Sequence, residues 1–220
     1  MKNNASIDII EKWLQGWSLS RQLPQPVKYK SGFTVDVNTP MQKKRYVFSE
    51  PNDDFLQLAE LVDEPWVFLK VSSAFETFKD KIPSKWQMQG DQYMMSCFHP
   101  MTVLHYDLPA DYRLEYDQYN STYVIKIITK DGGEQAAIGR VAIVDDLGVY
   151  DQIITDQNHR RKGLASFLMK ELEKIALSKG AYNNFLVATV EGKSLYESLG
   201  WELYSLYTSI VIPSQEYQDE

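Results

Sequence analysis

The sequence holds little of what would place it outside the cell, in a membrane or on nucleic acid. It has one cysteine, Cys97, so no disulfide closes within the chain, and a reducing, cytoplasmic setting is expected. No apolar run reaches the roughly 18 residues that a membrane span requires. The opening MKNNASIDII lacks the apolar stretch of a secretory leader. A net charge of −7 argues against sequence-independent binding to nucleic acid, which needs an excess of Lys and Arg to displace counterions. Neither G-x-x-x-x-G-K-[ST] nor G-x-G-x-x-G occurs, so the usual cradles for nucleoside triphosphates and dinucleotides are missing. No internal repeat or low-complexity stretch is present.

What remains is ordinary globular material. Hydrophobic residues make up 44% and charged residues 24% of 220 residues, enough for one large domain or two small ones with a real core. The 14 Tyr, 9 Phe and 5 Trp are expected to pack in cores and at sheet edges. Ile7, Ile10, Trp13, Leu14 and Trp17 recur at helical spacing and predict a helix over Ser6–Trp17. Trp13 and Trp17 are read as core or interface residues. Strands are expected at Phe33–Val37, Arg45–Phe48, Trp66–Val71 and Trp86–Cys97, with helices at Phe55–Val62 and Ala74–Lys81. The segment Phe98–Ala110, with Pro100 and Pro109, reads as a connector.

The second half is more regular. Tyr112–Gln118, Thr122–Thr129, Ala136–Val144 and Val149–Thr155 alternate as half-buried strands joined by tight turns, an antiparallel meander. A long amphipathic helix is predicted over Arg160–Lys179, followed by a strand at Phe185–Thr189, a short helix at Lys193–Leu199 and a last strand at Glu202–Ile212.

The junction between the meander and the long helix carries the chemistry. Four basic residues, His159 to Lys162, stand at the predicted helix start, followed by Gly163 and Ala165. Free N–H groups and the positive end of the dipole make a helix start an anion site, and small residues allow close backbone approach. Cations there are unfavourable by about 0.3–1 kcal/mol each, which is reasonable if an anion binds among them. The plain alternative is a solvated basic run.

Arg160-Arg161-Lys162-Gly163-Leu164-Ala165 matches the R/Q-x-x-G-x-G/A motif, and Ser194-Leu195-Tyr196-Glu197-Ser198-Leu199-Gly200-Trp201 carries a Tyr in a short helix followed by Leu-Gly-Trp. Separated by one helix and one strand, the two together resemble the signatures of the GNAT N-acetyltransferase superfamily, over roughly residues 110–212. The resemblance implies a mixed α/β (α+β), mostly antiparallel central sheet flanked by helices. It divides the chain into a coenzyme-binding catalytic domain at 108–220 and an N-terminal α/β half at 1–107. That half is read either as a degenerate copy of the same fold or as a wall of the acceptor site, because the two helices that usually shape that site are missing between Gln118 and Thr122.

The resemblance further implies acetyl-coenzyme A as co-substrate, with its pantetheine arm beside Ile153, Ile154 and Thr155. Its pyrophosphate is expected on Arg160, Arg161, Lys162, Gly163, Leu164, Ala165 and Ser166. It implies direct transfer of the acetyl group to a primary amine of a small molecule, an amino acid or a protein. A coenzyme-binding sensor without turnover stays open, as does another acyl donor. Tyr196 matches the family's tyrosine that protonates the departing thiolate; packing in the core is its alternative. An amine must be neutral to attack, so a base is needed. Alternation places Val149, Asp151 and Ile153 on one strand face, and Asp151, the only ionisable residue there, is the candidate base or amine anchor. Its alternative is a carboxylate paired with a nearby Lys or Arg. Thr189 stands where relatives often carry Asn. Sheet-edge homodimers are common in the family, and neither membrane nor nucleic acid is implied as a partner. The acidic chain mildly favours a cationic acceptor. No metal is expected: Cys97, His99 and His105 fit no zinc spacing, and Cys97 is read as a buried thiol.

Overall fold

Eleven strands and four helices build the computed structural model, which describes residues 5–102 and 107–214. The first half contains α1 (Ile7–Ser20), β1 (Val27–Tyr29), β2 (Gly32–Thr39), β3 (Gln42–Phe48), α2 (Asp53–Leu61), β4 (Val67–Val71) and β5 (Gln87–Cys97). The second contains β6 (Tyr112–Tyr119), β7 (Thr122–Thr129), β8 (Gln135–Val144), β9 (Leu147–Thr155), α3 (Leu164–Ser178), β10 (Asn183–Thr189), α4 (Val190–Ser198) and β11 (Glu202–Val211).

All the strands join one sheet in the order β1-β2-β3-β4-β11-β5-β10-β9-β8-β7-β6. The fold class is the expected one, mixed and mostly antiparallel. Only β3 with β4 and β9 with β10 pair in parallel, each joined through a helix. The centre is an exchange. Strand β5 pairs only with β10 and β11 of the second half, and β11 pairs only with β4 and β5 of the first. The two halves therefore meet edge to edge through swapped strands.

Helix α1 lies across β8 and β9. It turns Ile10, Trp13, Leu14 and Trp17 inward, a stripe at helical spacing whose burial contributes about 1.5–3 kcal/mol per large side chain. Gly16 sets the approach: a Cβ there would fall 2.5 Å from Val149 Cγ2, so any larger residue would push the helix off the sheet. On the opposite face, Leu164, Leu168, Leu172 and Ala176 of α3 are buried in a second core with Tyr150, Tyr196 and Trp201. A third core lies under α2, around Phe48, Phe55 and Phe78.

Three expected elements differ and one is added. The helix predicted at Ala74–Lys81 is two 3-10 turns, Phe75–Thr77 and Lys79–Lys81; Phe78 between them, at φ −139° and 1% exposed, leaves helical geometry to bury its ring. Strand β1 was not expected. Helix α4 starts at Val190 rather than Lys193 because Thr189 caps it, its Oγ1 accepting from Gly192 N at 3.2 Å. Helix α3 starts at Leu164 rather than Arg160, with consequences for the site. Among the described residues no helix is long and apolar enough to cross a membrane.

Candidate active site

Strands β9 and β10 pair only from Leu147–Asn183 to Val149–Phe185 and then part. The other parallel pair, β3 and β4, stays zipped from Lys44–Val67 to Phe48–Val71. The cause is a bulge. The register of β8 on β9 jumps between Ile138–Ile154 and Arg140–Asp151, so Gln152 and Ile153 together oppose Gly139. Gln152 sits at φ +52°, a region costly for a side chain other than glycine. The extra residue bends β9 away from β10 and leaves the facing backbone edges unpaired.

The bulge also corrects the sequence reading. Strict alternation places Ile153 on the same face as Asp151. The extra residue reverses the phase, and Ile153 packs into the core under α3. Its Cδ1 lies 2.7 Å from where a Cβ on Gly139 would stand. Asp151 stays on the α1 face.

Beyond β9 a 3-10 turn, Gln157–His159, leads into the basic run. Arg161 (φ +64°) and Gly163 (φ +76°) are left-handed, which no helix tolerates, so helix geometry begins only at Leu164. The first bond into α3 runs from Phe167 N to Gly163 O at 3.0 Å. Among the described residues, the N–H groups of Leu164, Ala165 and Ser166 have no protein acceptor, and no side chain caps the helix. Helix α2 is the contrast. Asn52 Oδ1 accepts from Phe55 N at 3.2 Å, and Asp53 and Asp54 follow in its first turn. One helix start is filled and acidic; the other is open and flanked by arginines.

Not every basic side chain serves that opening. His159 borders the cavity but is only 8% exposed, with Nδ1 2.9 Å from the Tyr112 hydroxyl. Lys162 Nζ donates to the same hydroxyl at 3.1 Å and is absent from the cavity wall. Because the cations precede the helix rather than occupy its first turn, the repulsion argued from the sequence is largely avoided. Arg160 and Arg161 line the cavity, as do Gly163, Leu164, Ala165 and Ser166. Arg160 Nε also reaches Thr155 O at 3.4 Å.

A cavity of about 1220 Å³ runs from this loop, through the gap beside Ile153, Ile154, Thr155, Val187 and Thr189, to the sheet face under α1. Tyr196 borders it from α4, 8% exposed, with its ring tilted against Trp201 at 6.0 Å. Burial pushes its hydroxyl up to about 12, and Asp151 adds a smaller push. Asp151 lines the wall in a clamp. Ser20 Oγ donates to Oδ2 at 2.6 Å, Arg21 Nε to Oδ2 at 2.8 Å and Arg21 Nη2 to Oδ1 at 2.9 Å.

Part of the wall comes from polar residues that the sequence did not mark, Arg21, Arg45, Lys70, Gln92, Glu191 and Tyr207. Trp13 and Trp17, read as core residues, are buried and also border the cavity. One signal was available. Lys70 interrupts an apolar strand, Val67-Phe68-Leu69-Lys70-Val71, where a charge is seldom placed without purpose.

Cys97 and His99 lie away from the cavity wall. The Cys97 thiol is buried and donates to His99 O at 3.1 Å, burial pushing its pKa up. His105 lies outside the described residues. Glu134, Asp156 and His159 bring ligand-type atoms within 4.8 Å of one another; His159 Nδ1 meets the Tyr112 hydroxyl, and Nε2 lies 3.6 Å from Glu134 Oε2.

Residues 91–201 match the family model described as the acetyltransferase (GNAT) family. The match spans β5 through α4 and takes in the open helix start and Tyr196. An uncharacterized N-acetyltransferase of Bacillus subtilis (strain 168), YjcF, is 27% identical over 103 residues, 47% of this chain and 71% of that protein. Among solved structures, a GCN5-related N-acetyltransferase from Kribbella flavida superposes with a TM-score of 0.67 at 14% identity, covering 98% of each chain. A putative acetyltransferase of the GNAT family from Novosphingobium aromaticivorans gives 0.58 at 16% identity, over 93% of this chain and 99% of that one. At these identities the structures speak to fold.

Proposed function

Since the chain belongs to the acetyltransferase (GNAT) family, we propose that it moves the acetyl group of acetyl-coenzyme A directly onto a primary amine held under α1. The carrying observation is continuity: an uncapped helix start, a gap between two parallel strands and a large cavity form one path. The pyrophosphate rests on the N–H groups of Leu164, Ala165 and Ser166 and between Arg160 and Arg161. The pantetheine arm lies along the unpaired edges of Ile153 and Val187. That places the thioester beside Tyr196.

The neutral amine attacks the thioester carbonyl. Backbone N–H groups near Ile153 face the developing oxyanion. The C–N bond forms, the C–S bond breaks, and the Tyr196 hydroxyl protonates the departing thiolate. Asp151 anchors the amine. Arg21 and Ser20 hold its carboxylate in place, and Oδ1 keeps lone-pair capacity beyond its bond to Arg21. The amine proton then leaves through water, and the Tyr196 phenolate takes a proton back from solvent.

Residues 1–107 are in this reading a degenerate copy of the fold that supplies the acceptor wall. The order β-β-β-α-β, the parallel pair joined by a helix and the exchanged last strand recur in both halves. Its filled, acidic helix start at Asn52 binds no second coenzyme.

Purified protein with acetyl-coenzyme A and a panel of amines, followed by thiol release and product mass, tests the proposal. Amine-dependent thiol release with an acetylated product is expected. A second reading, a coenzyme-binding sensor, is favoured by the engagement of both Asp151 oxygens. Tight coenzyme binding with no release from any amine would select it.

A further inference from the structure

Arg45 of β3 and Lys70 of β4 are each 7% exposed, yet neither forms an ion pair with a carboxylate among the described residues. Lys70 Nζ donates to Ser209 Oγ at 2.8 Å, leaving two of its three N–H donors free. Arg45 Nη2 donates to Gln42 Oε1 at 3.1 Å, while its Nε is buried without a partner. Its guanidinium lies over Trp17, 3.4 Å from the ring centroid. The Tyr207 hydroxyl is also buried and unpartnered. Arg45, Lys70, Trp17 and Tyr207 line the cavity. The acidic group beside them, Asp151, is already bound by Arg21.

Two buried cations without a counter-charge are costly unless something supplies one. The strain is visible in their proton affinities. Burial, then the Arg45 and Arg21 charges, pushes Lys70 well below the usual lysine range, and burial lowers Arg45 to about 10. An apolar replacement would serve packing better, so the pair is set for a ligand.

We infer that the acceptor amine carries a second, oxyanionic group, a carboxylate or a phosphate, bound by Arg45 and Lys70 with the Tyr207 hydroxyl. This inference rests on the acetyl-transfer reading, which puts the amine near Asp151 and Tyr196. Arg45 offers the planar fork that suits carboxylate and phosphate, and Lys70 offers a point charge. Strand β4 lies three strands from β10, about 14 Å at sheet spacing. Long Lys and Arg side chains narrow that distance, so the acceptor is compact. Amino acids and aminoalkyl phosphates fit. The cavity thus reverses the expectation drawn from net charge, since an acidic chain here presents a basic acceptor end.

The test is calorimetric binding to coenzyme A-loaded protein, using amino carboxylates and aminoalkyl phosphates of three to six carbons beside their carboxamides and amino alcohols. Thiol release from acetyl-coenzyme A is followed in parallel. The anionic member of each pair should bind at least roughly 100-fold more tightly than the neutral one. Arg45→Gln and Lys70→Met should each remove that preference while coenzyme affinity and melting temperature report an intact fold. Preference for the phosphates or for the carboxylates supports the site and identifies its head group. Equal binding of neutral and anionic members, or no binding of any anionic member at millimolar concentration, overturns it. Anion binding without thiol release would leave the site standing and sink acetyl transfer; equal turnover of neutral amines would do the reverse.

Discussion

Arg21 grips both oxygens of Asp151, Nε to Oδ2 at 2.8 Å and Nη2 to Oδ1 at 2.9 Å. The pair joins the end of α1 to the middle of β9 and holds the helix over the cavity. Arg21 is 36% exposed at its side chain, so solvent screens part of its contribution. We expect Arg21→Ala to cost about 1–2 kcal/mol in chemical denaturation. It should lower acetyl transfer at least ten-fold, because the carboxylate loses its fixed position. A double-mutant cycle with Asp151→Ala should show that the two losses overlap rather than add.

Tyr196 is pushed up to about 12. A group with that value keeps its proton throughout an ordinary assay range, as an acid must. Tyr196→Phe should lower kcat by about 100-fold and leave coenzyme affinity unchanged. The wild-type rate should show no alkaline fall from this group below about pH 11. A pH–rate profile on both proteins checks this.

Gly163 stands at φ +76°, and a Cβ added to it would have no atom within 4 Å. Gly163→Ala therefore meets no clash and acts on the backbone alone. The left-handed conformation costs an alanine about 1 kcal/mol. The helix start should relax away from its open geometry, and coenzyme affinity should fall more than thermal stability does. Calorimetry with coenzyme A beside a melting curve separates the two.

Lys70→Met should stabilise the free protein, on the order of 1–3 kcal/mol at pH 7. The folded pKa of Lys70 lies below its unfolded value. Between those values the unfolded chain binds more protons, so stability of the native protein rises with pH up to about 10.4. The advantage of the variant should therefore be largest at low and neutral pH and shrink as pH approaches 10. Denaturation at several pH values measures it.

Local signals in the sequence marked several residues that border the cavity. Arg160, Arg161, Gly163, Leu164, Ala165 and Tyr196 line the cavity because each is fixed by its immediate neighbours, a loop after a strand and a short helix before Gly200-Trp201, whereas Lys162 turns away to Tyr112. Other features were hidden for physical reasons. Arg161 and Gln152 adopt positive φ without being glycine, so neither the delayed start of α3 nor the bulge in β9 leaves a mark in residue type. The exchange of β5 and β11 is long-range pairing that alternation cannot encode. Arg45 and Lys70 come from strands of the first half and reach the cavity only through that exchange.

Backbone amide NMR during titration with coenzyme A tests the central claim most directly. The amides of Gly163, Leu164, Ala165 and Ser166 should shift strongly and saturably, with Ile153 and Val187 following, while those of Asp53, Asp54 and Phe55 stay still. Shifts confined to other regions, or none at saturating coenzyme, would contradict the account.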